Sequence, residues 1–195
     1  MEQTTKKIKR LDFPFTKEKL RGLEAGDSVL ISGTIYTARD AAHKRLTELL
    51  DQEEKLPFDL KGAIIYYVGP TPEKPGYAIG AAGPTTSYRM DDYAPRFLDL
   101  GQSAMIGKGQ RSKKVMEAAV RNGAVYFAAI GGAGALIARS IVKSQVIAFD
   151  DLGAEAVREL EVIDFPVTVV IDSKGNNLYE MGPAAYLEQK DGNKR

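Results

Sequence analysis

The chain has 195 residues, of which 44% are hydrophobic and 27% are charged, as is typical of a single globular domain. Its 27 Lys and Arg residues nearly balance its 26 Asp and Glu residues, so the overall charge does not favour binding to nucleic acid. The sequence contains no cysteine and one histidine, His43. We therefore expect no disulfide, no thiolate-bound cluster and no metal site on this chain.

The apolar segments are short. Runs such as residues 124–130 extend over about 7–9 residues, whereas a membrane-spanning helix needs about 20. The N-terminal stretch MEQTTKKIKRLDFPF is basic but has no apolar core of the kind found in secretory signals. We therefore expect a cytoplasmic protein.

Hydrophobic patterns predict alternating strands and helices between an N-terminal arm, residues 1–14, and a charged tail, residues 186–195. The predicted strands cover residues 28–35, 63–68, 104–106, 124–130, 145–149, 166–171 and 177–181, and the last two form a hairpin around residues 173–176. The predicted helices cover residues 37–54, a short stretch towards Leu100, residues 113–122, a short stretch after the GGAGA segment (131–135) to about Val142, and residues 153–161.

Capping signals support several of these helices. Thr37 and Ser112 are predicted N-caps, Asp91 or Asp92 is predicted to cap the helix towards Leu100, and Asn122-Gly123 is a typical helix end. Because β-α-β units are followed by a hairpin, the predicted fold is an α/β domain over residues 1–195, with a mixed sheet flanked by helices.

Three basic residues lie at turns next to predicted helix starts. Arg39 is in the first turn of the helix over residues 37–54, Arg89 precedes the Asp91/Asp92 cap, and Lys108 lies between two glycines. A cation at a helix N-terminus costs roughly 0.3–1 kcal/mol, so three of them indicate an anion site suited to a small dicarboxylate. The alternative is that they are solvated charges, or ion-pair partners of Asp40, Asp91 and Asp92.

Hydroxyl groups accompany one of these cations. Thr85, Thr86 and Ser87 lie just before Arg89, where they either bind a carboxylate or stabilise the turn. A hydroxyl is a poor base unless a neighbour takes its proton or a charge stabilises the alkoxide. His43 shares a helix face with Arg39, and both an active-site role and simple packing remain open for it.

Three motifs give the sequence a specific resemblance. Residues 33–43 (GTIYTARDAAH) resemble the GTxxTARDxAH stretch of the C-terminal domain of class I fumarases. Residues 83–91 (GPTTSYRMD) resemble the GPTTSxRMD stretch of that family, and residues 105–109 (MIGKG) resemble its GKG turn. The motifs occur in the family's order with similar gaps. The chain is thus similar to the class I fumarase and L(+)-tartrate dehydratase family, over roughly residues 15–185, and in particular to its β subunit.

The resemblance implies a division of labour between two subunits. It implies that this chain is a swivelling β/β/α domain that binds no cofactor itself and closes over the substrate. The [4Fe–4S] cluster, held by three cysteines, is expected on a partner α subunit of a hetero-oligomer. Its open iron would act there as a Lewis acid on the departing hydroxyl.

The resemblance also implies a reaction and a set of residues. The reaction is the reversible dehydration of a 2-hydroxy dicarboxylate, from malate to fumarate or from tartrate to oxaloacetate. Arg39, Arg89 and Lys108 match the carboxylate-binding cations, which would stabilise the aci-carboxylate formed on proton removal. Thr85 matches the threonine that exchanges the substrate's C3 proton, and Thr86 and Ser87 are further candidates for substrate contact or for the active hydroxyl. His43 lies within the first motif without a defined role.

Two other functions compete with this interpretation. A nucleotide-binding domain is suggested by the strand that runs into GGAGA and by Asp150 after a later strand, but the glycines do not form G-x-G-x-x-G. Close packing of a helix against a strand is the simpler explanation of those glycines. The other competitor is a non-catalytic module that binds a carboxylate metabolite.

Overall fold

The computed structural model describes residues 8–130 and 133–192. Within these residues, the strands are β1 (Lys9–Asp12), β2 (Ser28–Thr37), β3 (Ile64–Tyr66), β4 (Ala104–Gly107), β5 (Val125–Ala128), β6 (Ile141–Ala148) and β7 (Val157–Ile171). The α-helices of the same residues are α1 (Lys17–Arg21), α2 (Asp40–Asp51), α3 (Ala94–Asp99), α4 (Lys113–Asn122), α5 (Gly134–Ala138) and α6 (Leu178–Gly192). Two 3-10 helices, Ser87–Met90 and Asp150–Glu155, lie in loops.

The described strands form a mixed sheet in the order β1-β2-β3-β4-β5-β7-β6. Strands β1 to β5 pair in parallel, as β-α-β crossovers require. The long strand β7 runs antiparallel to β6 and β5, and it also pairs with β2 from Ser28↔Thr168 to Tyr36↔Glu159. The sheet therefore folds back on itself into a parallel layer and an antiparallel layer.

Both faces of the parallel strands are buried. Successive residues of a strand point to opposite faces, so Tyr66 and Ile106 pack between the two sheet layers. Their neighbours Ile65 and Met105 pack against helices α2, α3 and α4 on the other face. The result is a β/β/α layering, which confirms the predicted mixed sheet flanked by helices.

Most of the predicted central elements are confirmed. Strands β2, β3, β4 and β5 lie within or close to the predicted ranges, and helix α4 matches the prediction. Gly123 ends α4 in the left-handed conformation with φ of 66°, which glycine adopts without a steric penalty. Of the predicted N-terminal arm, residues 9–12 are strand β1, and residues 1–7 lie outside the described residues.

The cap at the start of α2 was predicted wrongly. Thr37 is the last residue of β2 and is fully buried. Its hydroxyl donates to the Ala156 carbonyl at 3.3 Å and accepts the Arg158 N–H at 2.9 Å. Because β7 pairs alongside, the strand continues to Thr37, and α2 runs only from Asp40 to Asp51 with Arg39 as its N-cap.

Asp91 and Asp92 also do not cap a helix as predicted. The N-cap of α3 is Tyr93, which makes no side-chain capping bond. The Asp91 carboxylate instead accepts hydrogen bonds from the Arg111 side chain and the Ser112 backbone. The local sequence could not predict this choice, since Arg111 and Ser112 follow β4 rather than the 3-10 turn.

The C-terminal third contains the largest errors. The predicted helix over 153–161 is wrong because residues 157–171 form β7, whose buried residues complete the antiparallel layer. The strand predicted for 145–149 begins earlier, at Ile141, and the preceding helix ends at Ala138. The strand predicted for 177–181 is wrong as well, because α6 begins there and the Asn177 side chain accepts the Tyr179 N–H at 3.1 Å.

The end of the chain also differs from the prediction. Helix α6 continues through residues 186–192, which were predicted as a charged tail, and residues 193–195 lie outside the described residues. Across the described parts of the chain, no helix combines the length and hydrophobicity that crossing a membrane requires.

Candidate active site

The carboxyl ends of the parallel strands bring the three sequence motifs to one edge of the sheet. Arg39 follows β2, Tyr67 follows β3 and Lys108 follows β4. The loop of the second motif joins them, since the Thr85 N–H donates to the Tyr67 carbonyl at 2.8 Å and Thr86 pairs with Lys108 in a parallel bridge. Loops at this edge are where open α/β sheets usually bind ligands.

A carboxylate from a distant loop holds the Arg39 turn. The Arg39 guanidinium lies 3.0 Å from Glu155 Oε1, and Glu155 Oε2 accepts the Ala41 N–H at 3.2 Å in the first turn of α2. The Glu155 carboxylate thus caps the start of α2 and orients the Arg39 side chain at the same time. Asp40 is farther from the guanidinium, at 3.8 Å. Local sequence does not reveal this role of Glu155, because 114 positions separate it from Ala41.

Gly69 lets the Arg39 side chain lie flat on the β3 loop. A Cβ atom added at Gly69 would lie only 2.7 Å from Arg39 Nη1 and 3.2 Å from its Cδ. The Arg39 side chain keeps about a fifth of its area exposed, although its Nε is buried. It therefore faces solvent at the sheet edge while its position is restricted on two sides.

Ser87 is the buried anchor of the second motif. Its hydroxyl lies 2.9 Å from the Tyr126 hydroxyl and accepts the Lys108 N–H at 3.0 Å. Tyr126 donates its single proton to the Gly109 carbonyl at 2.9 Å, so Ser87 must be the donor to Tyr126. This chain of bonds fixes the Gly107–Gly109 turn, and it uses the Ser87 hydroxyl entirely inside the protein.

The other two hydroxyls of the motif are less enclosed. Thr85 and Thr86 are half-buried, whereas Ser87 has no exposed area. The backbone of Thr85 is held by Tyr67, and that of Thr86 runs beside Lys108. The two threonine side chains therefore reach the solvent-facing side of the loop.

Arg89 and Lys108 are exposed cations without ion pairs. Among residues 8–130 and 133–192, neither side chain has a carboxylate partner, although Asp91 and Asp92 are close in sequence to Arg89. Asp91 is already bound to Arg111. The ion pairs considered as an alternative for these two cations are therefore not formed, and their charge is available to an anion.

The buried side chain of Arg111 supports the edge of the sheet that carries the three motifs. The Arg111 side chain is fully buried, and its Nε donates to Asp91 Oδ1 at 2.7 Å. Its guanidinium carbon lies 5.3 Å from the Tyr67 ring centre and 5.1 Å from the Tyr126 ring centre, within the range of cation–π attraction. Arg111 thus connects the second and third motifs, a function that its position in the sequence does not reveal.

His43 is enclosed rather than exposed at the site. The residue has no exposed area, and its Nδ1 lies 2.9 Å from the Arg39 carbonyl, to which it donates because a carbonyl only accepts. Its ring packs against Tyr67, Tyr93 and Phe97. Burial lowers the pKa of His43 to about 4, against the opposing effect of the bond to Arg39, so the ring is neutral at pH 7. The packing role considered for His43 is the one its surroundings support.

The glycine-rich segment serves packing in its described part. Gly134 begins the short helix α5 and lies against the second motif, where a Cβ atom at Gly134 would be 2.9 Å from the Gly83 nitrogen. The Ala82 N–H also donates to the Gly134 carbonyl at 3.1 Å. These contacts favour close packing over the nucleotide-binding alternative. Gly131 and Gly132 lie outside the described residues.

A cavity of about 400 Å³ lies beside the motif edge, between the loop after β3 and helix α5. Its walls include Lys74, Tyr77, Ile79 and Arg139 but none of the residues of the three motifs. Arg89 and Lys108 are exposed, so these two motif cations lie at the surface of the chain.

The donor set of the chain does not fit an iron–sulfur cluster. The sequence offers no thiolate, which such clusters use as ligands. In the described parts of the chain, no group of three or more His, Asp or Glu side chains is arranged to hold a metal ion.

Comparison with known proteins identifies the family to which this chain belongs. The fold and the edge residues define an α/β domain with cationic side chains at the carboxyl ends of its parallel strands and no thiolate ligand. The chain belongs to the family described as Fumarase C-terminus, whose sequence model matches residues 1–182.

Individual relatives agree with this assignment. The chain is 45% identical over 171 residues to a putative L(+)-tartrate dehydratase subunit beta of Methanocaldococcus jannaschii, covering 85% of this chain and 88% of that protein. It is 42% identical over 165 residues to fumarate hydratase 2 of Leishmania major and 41% identical over 152 residues to the aerobic class I fumarate hydratase of Escherichia coli. These matches cover 84% and 77% of this chain, but only 29% and 28% of the two fumarate hydratases.

Proposed function

We propose that the chain is the β subunit of a hydro-lyase that reversibly dehydrates a 2-hydroxy dicarboxylate. The observation that carries the proposal is the convergence of Arg39, the Thr85 loop and Lys108 at one sheet edge. The names of the relatives, fumarate hydratase and tartrate dehydratase subunit beta, both denote adding or removing water. Malate with fumarate and tartrate with oxaloacetate are the two substrate pairs to test.

In this proposal the cations bind the two carboxylates of the substrate. Arg39 is held by Glu155 and keeps about a fifth of its side-chain area exposed. Arg89 and Lys108 have no carboxylate partner in the described parts of the chain, so binding an anion costs them no existing ion pair. Fixed cations of this kind also stabilise the negative charge that develops when a proton leaves the carbon beside a carboxylate.

Thr85 is the proposed group for proton exchange at C3 of the substrate, and Thr86 is the neighbouring hydroxyl for substrate contact. Support comes from their partial burial beside Lys108, whose charge favours an alkoxide. For Ser87 we assign a positioning role, because its buried hydroxyl fixes the Lys108 turn. The buried His43 side chain holds the Arg39 turn in place by donating a hydrogen bond to the Arg39 carbonyl.

A partner α subunit would supply the [4Fe–4S] cluster that the family resemblance implies. The absence of cysteine in the sequence supports this arrangement, as does the match over 88% of a protein named a subunit beta. The layered fold is that expected of a swivelling domain, and its closure over the substrate belongs to the same proposal. A cytoplasmic location is the corresponding prediction for the complex.

The test is anaerobic co-expression with a cluster-bearing α subunit, followed by assays of malate, fumarate and both tartrates. Replacing Arg39, Arg89 or Lys108 by Ala should lower kcat/KM by about 10- to 100-fold each, since a lost hydrogen bond to a charged group costs about 1.5–3 kcal/mol. Thr85→Val should abolish proton exchange at C3 while substrate still binds.

Exposed cations elsewhere provide matched controls. Arg10 on β1 and Lys143 on β6 lie outside the three motifs, and their Ala variants should keep wild-type kcat/KM. Unchanged activity in all three motif variants would refute the anion site. A complex that binds the dicarboxylate without turnover would instead identify a non-catalytic module.

A further inference from the structure

Seven buried side-chain polar atoms of the described residues have no hydrogen-bond partner among those residues. Four of them lie around Tyr67, namely His43 Nε2, Tyr67 Oη, Gln102 Oε1 and Arg111 Nη2. The four side chains come from α2, the end of β3 and the two loops that flank β4. Buried polar groups are nearly always paired with protein or with ordered water, so a set of four unpaired atoms in one region requires an explanation.

These atoms belong to one cluster centred on Tyr67. The His43 and Tyr67 ring centres are 5.5 Å apart, and the Arg111 guanidinium carbon is 5.3 Å from the Tyr67 ring centre. Burial raises the pKa of Tyr67, while the side chains of Arg111 and Gln102 lower it. Both side chains are therefore close to the Tyr67 hydroxyl, although neither forms a hydrogen bond of acceptable geometry with it. The charge of Arg111 also acts on His43.

The donors and acceptors of the cluster balance. His43 donates through Nδ1 to the Arg39 carbonyl, so the Nε2 of its neutral ring is an acceptor. Gln102 donates through Nε2 to the Ala104 carbonyl at 2.9 Å, which leaves Oε1 as an acceptor. Tyr67 Oη–H and Arg111 Nη2–H are donors. Two donors and two acceptors are the full complement of one water molecule.

We propose that His43, Tyr67, Gln102 and Arg111 bind one internal water molecule, and that this water couples the Arg39 turn to the Lys108 turn. On one side, His43 holds the carbonyl of Arg39. On the other, Arg111 holds Asp91, whose carboxylate also binds the Ser112 N–H after the Lys108 turn. His43 and Arg111 are then positioning residues, and their effect on substrate binding rests on the proposed function.

The substitution Tyr67→Phe gives opposite results for a hydrogen-bonded and an unbonded Tyr67 hydroxyl. If a water molecule completes its bonding, removing the hydroxyl loses a net favourable bond and should lower the Tm by about 2–4 °C. If the hydroxyl is unpaired, the substitution removes a destabilising buried group, and the Tm should stay the same or rise. An unchanged or higher Tm therefore overturns the proposal.

A matched tyrosine provides the control. Tyr36 is partly buried and stacks on Phe58 with ring centres 4.2 Å apart, and Tyr36→Phe should leave the Tm nearly unchanged. Direct evidence comes from a high-resolution crystal structure of the wild-type chain. An ordered water within hydrogen-bond distance of the four atoms is expected, and direct protein–protein bonds between them would overturn the proposal.

The coupling has a separate kinetic readout in the reconstituted complex. Tyr67→Phe should raise KM for the dicarboxylate about fivefold with little change in kcat, because the cations bind the substrate less well while the chemistry is intact. An unchanged KM would remove the positioning role. If the wild-type complex shows no hydro-lyase activity, the proposed function fails, whereas the Tm and crystallographic results still decide the water site.

Discussion

Acidification from pH 7 to pH 5 should destabilise the chain mainly through His43. The folded protein holds this ring neutral, with a pKa of about 4 against an ordinary value of 6.5. The unfolded chain therefore takes up a proton first as the pH falls, and stability rises with pH wherever the unfolded state binds more protons. The contribution is present above pH 6.5 and is lost progressively as the pH falls to about 4.

The magnitude follows from the two pKa values. The difference of about 2.5 units corresponds to a full loss of about 3 kcal/mol, of which about 2 kcal/mol is lost between pH 7 and pH 5. Since domains of this kind have free energies of unfolding of about 5–15 kcal/mol, the effect is large enough to measure. Burial is the main cause, with the charge of Arg111 acting in the same direction and Asp40 and the Arg39 carbonyl opposing it.

Urea denaturation at pH 7, 6 and 5 checks this prediction. His43 is the only histidine in the sequence, so no other histidine contributes to the slope. The carboxylates with lowered pKa values, such as Asp99 and Asp172, titrate below their ordinary value of 3.8 and affect only more acidic solutions.

The control is His43→Leu, which should flatten the slope between pH 7 and pH 5 whatever its absolute stability. If that variant does not fold, the NMR titration of the single histidine in the wild type replaces it. A titration near pH 6.5, or a wild-type stability that is constant from pH 7 to pH 5, would contradict the burial argument.

Two glycine substitutions test the packing of the site. Gly107→Ala places a Cβ atom 2.0 Å from Ser87 Oγ and should lower the free energy of unfolding by about 1–3 kcal/mol in urea denaturation, whereas the exposed Gly182→Ala should not; equal stabilities would disprove the close approach. Gly69→Ala should keep the Tm but raise KM about threefold in the reconstituted complex, because its Cβ displaces the flexible end of Arg39. A wild-type KM in that variant would show that the position of Arg39 does not matter.

Local pattern was sufficient for the central elements and for the identity of the site loops. The β-rich runs at residues 28–35 and 63–68 and the capped helix at residues 113–122 are strands and a helix in the structure. Their signals are local because hydrophobic alternation and a glycine helix end act within a few residues. The three motifs identified the family for the same reason, since each is a short contiguous sequence.

Two of the errors occurred where long-range pairing outweighed local propensity. Residues 153–161 have good helix formers, but from Val157 onwards they pair with β6 and from Glu159 onwards also with β2. Two rows of ladder hydrogen bonds exceed a small difference in helix propensity. Thr37 resembles a helix cap in sequence, but the neighbouring strand β7 uses its hydroxyl. Neither result could be derived without knowing which strands are neighbours.

The sequence by itself determined that the chain has no thiolate, that Arg39, Arg89 and Lys108 lie at turns next to helix starts, and which family it belongs to. Only the tertiary structure decided how these groups are held: Glu155 against Arg39, Ser87 beneath Lys108, and Arg111 on Asp91. The physical reason is that composition and motif are properties of contiguous residues. Burial, hydrogen-bond satisfaction and the neutral state of His43 instead depend on atoms that folding brings together from distant positions.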